Sequence, residues 1–377
     1  MKRTDISGKQ MEATIALYLI GSSLVSSGAT SAKQNTWFCI LLSMILIIPL
    51  VWVQSKILKL YPGQNYFQNI LRAMGRPAGM AVLILLLLYL VNLGALVMRL
   101  FSDFIHIVNM TETPVIAIMV PIAAALVYTL HSRIYVLARI SRFVFPLLVL
   151  IVIVTIVMSY KDMNLENLKP ILAIEPKKLV LGTMDSIAIP YCEVVVCAPL
   201  FRSLNRRENI FPTFLKGVFF AFLVLLTADL RNSLVLGYSV EIYAFPSYEA
   251  VSVIQLGEFF TRIEVLIGIN LLVAGFVKVG VLIFSTCEDL ACISGRQDSR
   301  PLVSAVSLLL ITLAILLYSN SVEIYWWTKL LPYFSFPFQI GLPVLVLIVG
   351  TIRKKKGKKK KQKKQEKTPV SAKPQEN

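Results

Sequence analysis

The sequence predicts an all-α integral membrane protein of ten transmembrane helices, and three observations carry that expectation. Of 377 residues, 56% are hydrophobic and only 16% charged, with a mean hydropathy of +0.71; soluble domains carry about a quarter charged residues. Apolar runs such as "MAVLILLLLYLVNLGALVM" (80–98) and "FVFPLLVLIVIVTIVM" (143–158) approach or reach the ~20 residues needed to cross a bilayer. Lysine and arginine also recur in alternate loops and at both ends, a pattern that an even number of spans with both ends cytoplasmic satisfies nearly everywhere.

Hydropathy places the spans near 11–31, 35–55, 78–101, 113–130, 139–159, 179–200, 212–237, 263–285, 302–319 and 331–352. Span one follows Lys2, Arg3 and Lys9 with no small-residue cleavage site before the further spans, so it is expected to stay in the protein. The loop after span two holds Lys56, Lys59, Arg72 and Arg76. The one after span four holds Arg133, Arg139 and Arg142, and the one after span six holds Arg202, Arg206 and Arg207. Between them, the loops after spans three and seven carry Glu112, Glu241, Glu249 and Glu258. The loop after span eight is nearly neutral. Both termini are therefore expected in the cytoplasm, with residues 1–10 as a short N-terminus and 11–352 as the membrane domain. Residues 353–377 form a basic tail expected to be disordered. Within the outer loop after span seven, 238–262 is too polar for a span and too apolar for a free loop, so a cap of short amphipathic helices is expected there.

The formal charge is +17, but ten of the twelve residues from Arg353 to Lys364 are lysine or arginine. A basic block directly after the last span is a topogenic signal and a contact for anionic lipid. Nothing else in the chain supports nucleic-acid binding. The five cysteines (39, 192, 197, 287, 292) lie in or beside apolar runs without Cys-x-x-Cys spacing and read as small buried hydrophobes. With only His106 and His131 present, no metal site is expected. No Ser-His-Asp set or phosphate loop occurs either, so no enzyme activity and no cofactor are expected.

Two spans are interrupted. Span one reads "IALYLIGSSLVSSGATSA", crowded by Gly21, Ser22, Ser23, Ser26, Ser27 and Gly28; span six reads "SIAIPYCEVVVCAPLF", broken at Pro190 and again at Pro199. Freed backbone groups cannot face lipid, so such breaks either line a cavity or are ordinary proline and small-residue packing. Spans one and six hold the same place in two consecutive sets of five, as an inverted five-plus-five repeat would give. Glu193 follows the break directly. At membrane depth it is a ligand, cation or proton contact, or else a structural acid that locks helices together. Lys278, in "LLVAGFVKVGVLIF", is the other deep charge and could pair with an acid, bind a carboxylate or snorkel outward. Arg99 and Asp103, one turn apart, read as a local ion pair. Asp229 and Arg231 read as interfacial, at the end of span seven. Tyr325, Trp326 and Trp327 read as an aromatic belt.

"YPGQNYFQNI" after span two, "MRLFSDFI" ending span three, "YCEVVVCAPLF" in span six and "FPSYEAVSVIQLGEFFTRIEVL" before span eight carry a resemblance. From residue 5 to about 352 the chain resembles the endospore germination permeases. These are the B subunits of spore germinant receptors, in the amino acid–polyamine–organocation (APC) transporter superfamily. The most specific stretch is Phe260 to Glu264. The resemblance implies a LeuT/APC-like fold in the spore inner membrane, assembly with an A subunit and a lipoprotein C subunit, and sensing of a small nutrient, often an amino acid, that triggers germination. It implies a ligand held between broken spans one and six, closed by spans three and eight. Those positions are Gly21, Ser22 and Ser23; Tyr89 and Leu93; Pro190, Tyr191, Cys192 and Glu193; and Lys278 with Leu282. Relatives commonly have a glycine one or two places before the span-six acid, where this chain has Tyr191 and Cys192. They often have Gly-x-Gly and a later proline in span one, where Ser23 and Gly28 stand here. The alternatives that this architecture supports are a proton- or cation-coupled amino-acid transporter and a structural membrane subunit.

Overall fold

The computed structural model describes residues 5–23, 30–108, 110–170, 173–243, 245–252, 264–318 and 321–366. The motif from Phe260 to Glu264 falls outside them except for the backbone of Glu264, and Gly28 and the Ser22 side chain are also outside. The described residues are helical with no strand, apart from one bridge between Ile6 and Leu204. Eight helical segments are long and apolar enough to cross a membrane, Val115–His131 is a shorter apolar helix, and the 16-residue helix Gly8–Ser23 completes ten.

Span one is α1 (Gly8–Ser23) and span two is α2 (Thr36–Leu58). A short helix, α3 (Tyr66–Met74), precedes span three, α4 (Arg76–Val108). Spans four and five are α5 (Val115–His131) and α6 (Ile134–Met158). Span six is split into α7 (Pro176–Ala188) and a 3-10 helix, Tyr191–Ser203. Span seven is α8 (Ile210–Leu236), followed by the short α9 (Pro246–Ser252). Spans eight and nine are α10 (Glu264–Ile293) and α11 (Val303–Leu317). Span ten runs through α12 (Ser321–Phe336), a π turn at Pro337–Gly341 and α13 (Leu342–Glu366).

The start of α1 meets the end of span six. Ile6 donates its N–H to the Ser203 carbonyl at 2.7 Å and accepts from Asn205 N–H at 2.9 Å. One span leaves this end of the bundle and the other arrives at it, so spans one and six run in opposite directions, as an inverted repeat requires. Residues Ile15 to Ile20 of α1 are fully buried on every side; a helix apolar all round belongs in the interior. It packs against α6, α8 and α10.

The break in span six follows from Pro190. Its ring removes a helix donor and disfavours the α conformation in the preceding residue. Ile189 is accordingly extended (φ −130°, ψ 112°), and its peptide bond to Pro190 is cis. Span ten is interrupted by the same cause, since Pro337 opens its π turn and turns Gln339 into the core.

Two features of the sequence acquire structural roles. In "YPGQNYFQNI", Asn65 caps α3 by accepting from Phe67 N–H, and its own N–H donates to Gln68 Oε1 at 3.0 Å. Its side-chain amide then donates to Glu288 of α10. The basic tail does not begin as coil: α13 continues through the lysine block to Glu366. Lys354 Nζ donates to the Leu60 carbonyl at 2.5 Å just past the C-terminus of α2, where a cation meets the negative end of a helix.

At Gly275 the Phe101 ring of α4 lies directly against the backbone of α10. A Cβ added there would lie 1.5 Å from Phe101 Cζ. Gly275→Ala should lower the thermal unfolding temperature of the purified protein, because overpacking of this kind costs ~1–3 kcal/mol. Adding Phe101→Leu should recover much of the loss; no recovery would mean the destabilisation lies elsewhere.

Candidate functional site

Helix α10 is fully buried at Lys278, where a lone ammonium would be prohibitively desolvated. Its partner is Glu193, in the first turn of the 3-10 half of span six, whose carboxylate accepts from Lys278 Nζ. Both side chains are sealed from solvent. The Tyr18 ring of α1 lies 5.0 Å from the ammonium and offers its negative face. Gly21, one turn on from Tyr18, makes room for the pair: a Cβ there would stand 3.0 Å from both Lys278 Cβ and the Ala274 carbonyl oxygen. Spans one, six and eight thus converge on one buried ion pair. Of the readings open for Lys278, pairing with an acid across the bundle is the one realised; it does not snorkel.

Tyr89 of α4 borders this centre. Its hydroxyl accepts from Gln339 Nε2 at 2.9 Å, and its ring stacks on Phe338 at 5.2 Å with 9° between planes. Gln339 Nε2 also reaches the Ala188 carbonyl, the last of α7, at 3.2 Å. One amide on span ten therefore ties span three to the open end of the broken span. Leu93, Leu282 and Cys192 are buried in the same apolar core. Ser285 Oγ donates to the Val196 carbonyl at 2.7 Å and fastens α10 to the 3-10 segment.

The remaining expected positions lie elsewhere. Ser23, Pro190 and Tyr191 line a separate cavity of about 40 Å³ on the α7 side of the break, together with Ser186 of α7 and Asp229 and Asn232 of α8. Helix α9 lies over it through Pro246 and Ser247, and is held to the end of α4 by Phe104, whose ring packs edge-on against Phe245 (5.1 Å) and Tyr248 (6.0 Å).

Two sequence expectations are corrected here. Asp229 is not exposed at the span end: it is 7% exposed and lies in the wall of this cavity. Arg231 is 1% exposed and donates to Thr155 Oγ1, to Asn232 Oδ1 and to the Ser247 carbonyl. The i, i+3 spacing of Asp229 and Asn232 in an apolar helix was the available signal that both share an inward face. Gln339 was also missed, although Pro337 beside it marks the interruption. Arg99 and Asp103 do form the local pair, at 2.8 Å.

At the opposite end of the bundle, a larger cavity of about 280 Å³ is bordered by Asp5, Arg133, Arg202, Glu288, Asp298 and Arg300. Glu288 joins three elements there, accepting from Asn65, from Ser299 Oγ at 2.6 Å and from Arg202 Nη1 at 3.4 Å. Hydrogen bonds from Arg300 hold the Asp298 carboxyl below its usual range. Among the described residues, no group of three or more histidine, cysteine or acidic side chains could hold a metal ion.

The fold is that of a known transporter class. Over 90% of this chain and 78% of the other, it superimposes with a TM-score of 0.62 and 13% identity on Mhp1, a nucleobase-cation-symport-1 family transporter solved in a closed conformation with bromovinylhydantoin bound. By sequence, it is 24% identical to spore germination protein KB of Bacillus subtilis over 94% of this chain and 97% of the relative. It is 21% identical to putative spore germination protein YfkT of the same organism over 85% and 88%. It is 20% identical to spore germination protein XB of Bacillus anthracis over 91% and 98%. The family model described as "Spore germination protein" matches residues 5–324. Matched by that model over most of its length, the chain belongs to the spore germination protein family of multi-pass, transporter-like membrane proteins.

Proposed function

We propose that this protein is the nutrient-sensing B subunit of a spore germinant receptor, and that its ligand is a small zwitterion such as an amino acid. The observation that carries this is the Glu193–Lys278 pair, sealed at the meeting of spans one, six and eight. Removing one partner from a buried pair leaves an uncompensated charge and costs ~3–5 kcal/mol. A zwitterion avoids that cost: its ammonium replaces Lys278 at Glu193 while its carboxylate replaces Glu193 at Lys278. A molecule with only one of the two charges cannot compensate both, so the pair discriminates as well as binds.

Opening the pair separates α10 from the 3-10 half of span six, and Gln339 carries the displacement from Ala188 to Tyr89 and span ten. A ligand that binds only the separated arrangement shifts the population toward it. In this reading the A and C subunits respond to that shift in the spore inner membrane. The basic loops and α13 then face the spore core, where the lysine block meets anionic lipid. A cation-coupled amino-acid transporter is the second reading, favoured by the transporter fold. Concentrative uptake into proteoliposomes that collapses with the ion gradient distinguishes it.

Spores carrying this receptor alone should show the role of the pair directly. Glu193→Gln leaves Lys278 buried without its counter-charge and should lower subunit abundance by immunoblot, nutrient response, or both. The double variant Glu193→Gln, Lys278→Met removes both charges and should restore abundance while the nutrient response stays lost. A normal response from the double variant sinks the assignment. Gly21→Val, which forces α1 away from Lys278, should likewise abolish or retune the response at normal abundance.

A further inference from the structure

The corner where the ends of α2 and α3 meet α13 carries positive charge with nothing in its own helices to balance it. From 13 to 102 and from 324 to 365 the chain contains no aspartate or glutamate. Helix α13 packs against both α2 and α3. Tyr61, just beyond α2, is the centre of the corner. The Arg72 guanidinium lies 5.1 Å from its ring centroid and Lys354 Nζ 5.9 Å. Lys354 Nζ also donates to the Leu60 carbonyl at 2.5 Å. Arg353 Nη1 lies against Gly75, the residue that ends α3, where an added Cβ would stand 2.5 Å from it. Among the described residues, Arg72, Arg353 and Lys354 make no ion pair within 4.0 Å. A ring face and a carbonyl offset only part of three like charges held this close. The arrangement suits a compact anion with several acceptor oxygens, which is the chemistry of a phosphate.

The apolar surface beside these cations identifies where the phosphate comes from. Helix α2 exposes Leu46, Ile48 and Trp52, and α13 exposes Leu345, Ile348 and Ile352. Both rows run directly into the cations. Ile352 immediately precedes Arg353, and Trp52 lies one turn before Lys56, whose ammonium rests 5.2 Å from the indole ring. An indole and a lysine at the end of an exposed apolar row mark the level of lipid headgroups. A phosphate seated on the three cations therefore has acyl chains beside the two rows. A soluble phosphate ester gains nothing from them, and neither does an acidic protein segment.

We propose that this corner is a headgroup site for an anionic phospholipid, its phosphate held by Arg72, Arg353 and Lys354 around Tyr61. This deepens the reading that the basic end of the molecule meets anionic lipid, and it separates a defined site from the lysine block farther along α13. Span ten is the element the lipid acts on. Helix α13 follows the π turn that carries Gln339, so a headgroup bridging α2, α3 and α13 fixes span ten against the ends of α2 and α3.

The test uses the full-length protein purified in a neutral detergent, with neither nutrient nor partner subunits, so it stands or falls separately from the sensing role. Thermal unfolding is followed during titration with phosphatidylglycerol, and with phosphatidylcholine of the same acyl chains. Wild type should show a saturable rise of about 2 °C or more with the first and none with the second. Arg72→Gln and Lys354→Gln should each move half-saturation to several-fold higher lipid, and the double variant should abolish the rise. Replacing Lys358, Lys359, Lys360 and Lys361 together by glutamine should leave half-saturation unchanged. Where the double variant does not fold, native mass spectrometry of wild type and Arg72→Gln decides in its place, the variant retaining several-fold less phosphatidylglycerol. An equal rise with phosphatidylcholine, no rise with either lipid, or an undiminished rise in the double variant overturns the proposal. Loss of the rise only in the lysine-block variant also overturns it, while leaving the broader lipid reading intact. Saturation by glycerol 3-phosphate at the same concentrations, or a larger rise with poly-glutamate, overturns it in favour of a soluble phosphate ester or an acidic protein segment.

Discussion

A lysine and a glutamate sealed together in an apolar core are the constraint on which the rest of this structure depends. Neither charge is tolerable there alone, and each is delivered by a different span. Glu193 reaches the centre because Pro190 stops α7 and restarts the chain as a 3-10 segment. Lys278 reaches it because Gly21 lets α1 lie against the lysine's own stem. Two helix-weakening residues, one in span one and one in span six, are what bring the charges together.

The interruption of span six separates two kinds of chemistry. On one side lies a charge-neutral pair with little room, and on the other a small cavity with a carboxylate, hydroxyls and a helix C-terminus. Gln339 stands between these and the outer spans, through Tyr89 and the Ala188 carbonyl. It is available for that only because Pro337 opens a π turn in span ten. Three prolines and glycines thus set the geometry of one centre from three different spans.

The far end of the bundle is held by different forces. Charged and polar side chains from α3, the end of span six and the loop after α10 meet at Glu288, around a cavity several times larger. The two ends of the bundle are therefore closed in different ways. Here one is covered by α9 and aromatic packing, the other by hydrogen bonds and an ion pair. The two are stabilised by terms with different dependence on salt.

Much of this was legible in the sequence, because membrane constraints act locally. A run of about twenty apolar residues spans wherever it occurs, and a proline breaks a helix whatever surrounds it. The helical class, the ten spans, the interruption at Pro190 and the depth of Glu193 and Lys278 within the spans therefore followed from residue order alone. Which residues meet did not follow, because it depends on helix rotation and packing between spans far apart in the chain. Periodicity could not say that Lys278 pairs with Glu193 rather than snorkelling. It could not say that Tyr191 turns away from its neighbour Glu193, or that Asp229 and Arg231 face inward near a helix end. Those choices were made by the packed bundle, where the cost of an unpaired buried charge selects one arrangement among many that the same sequence pattern allows.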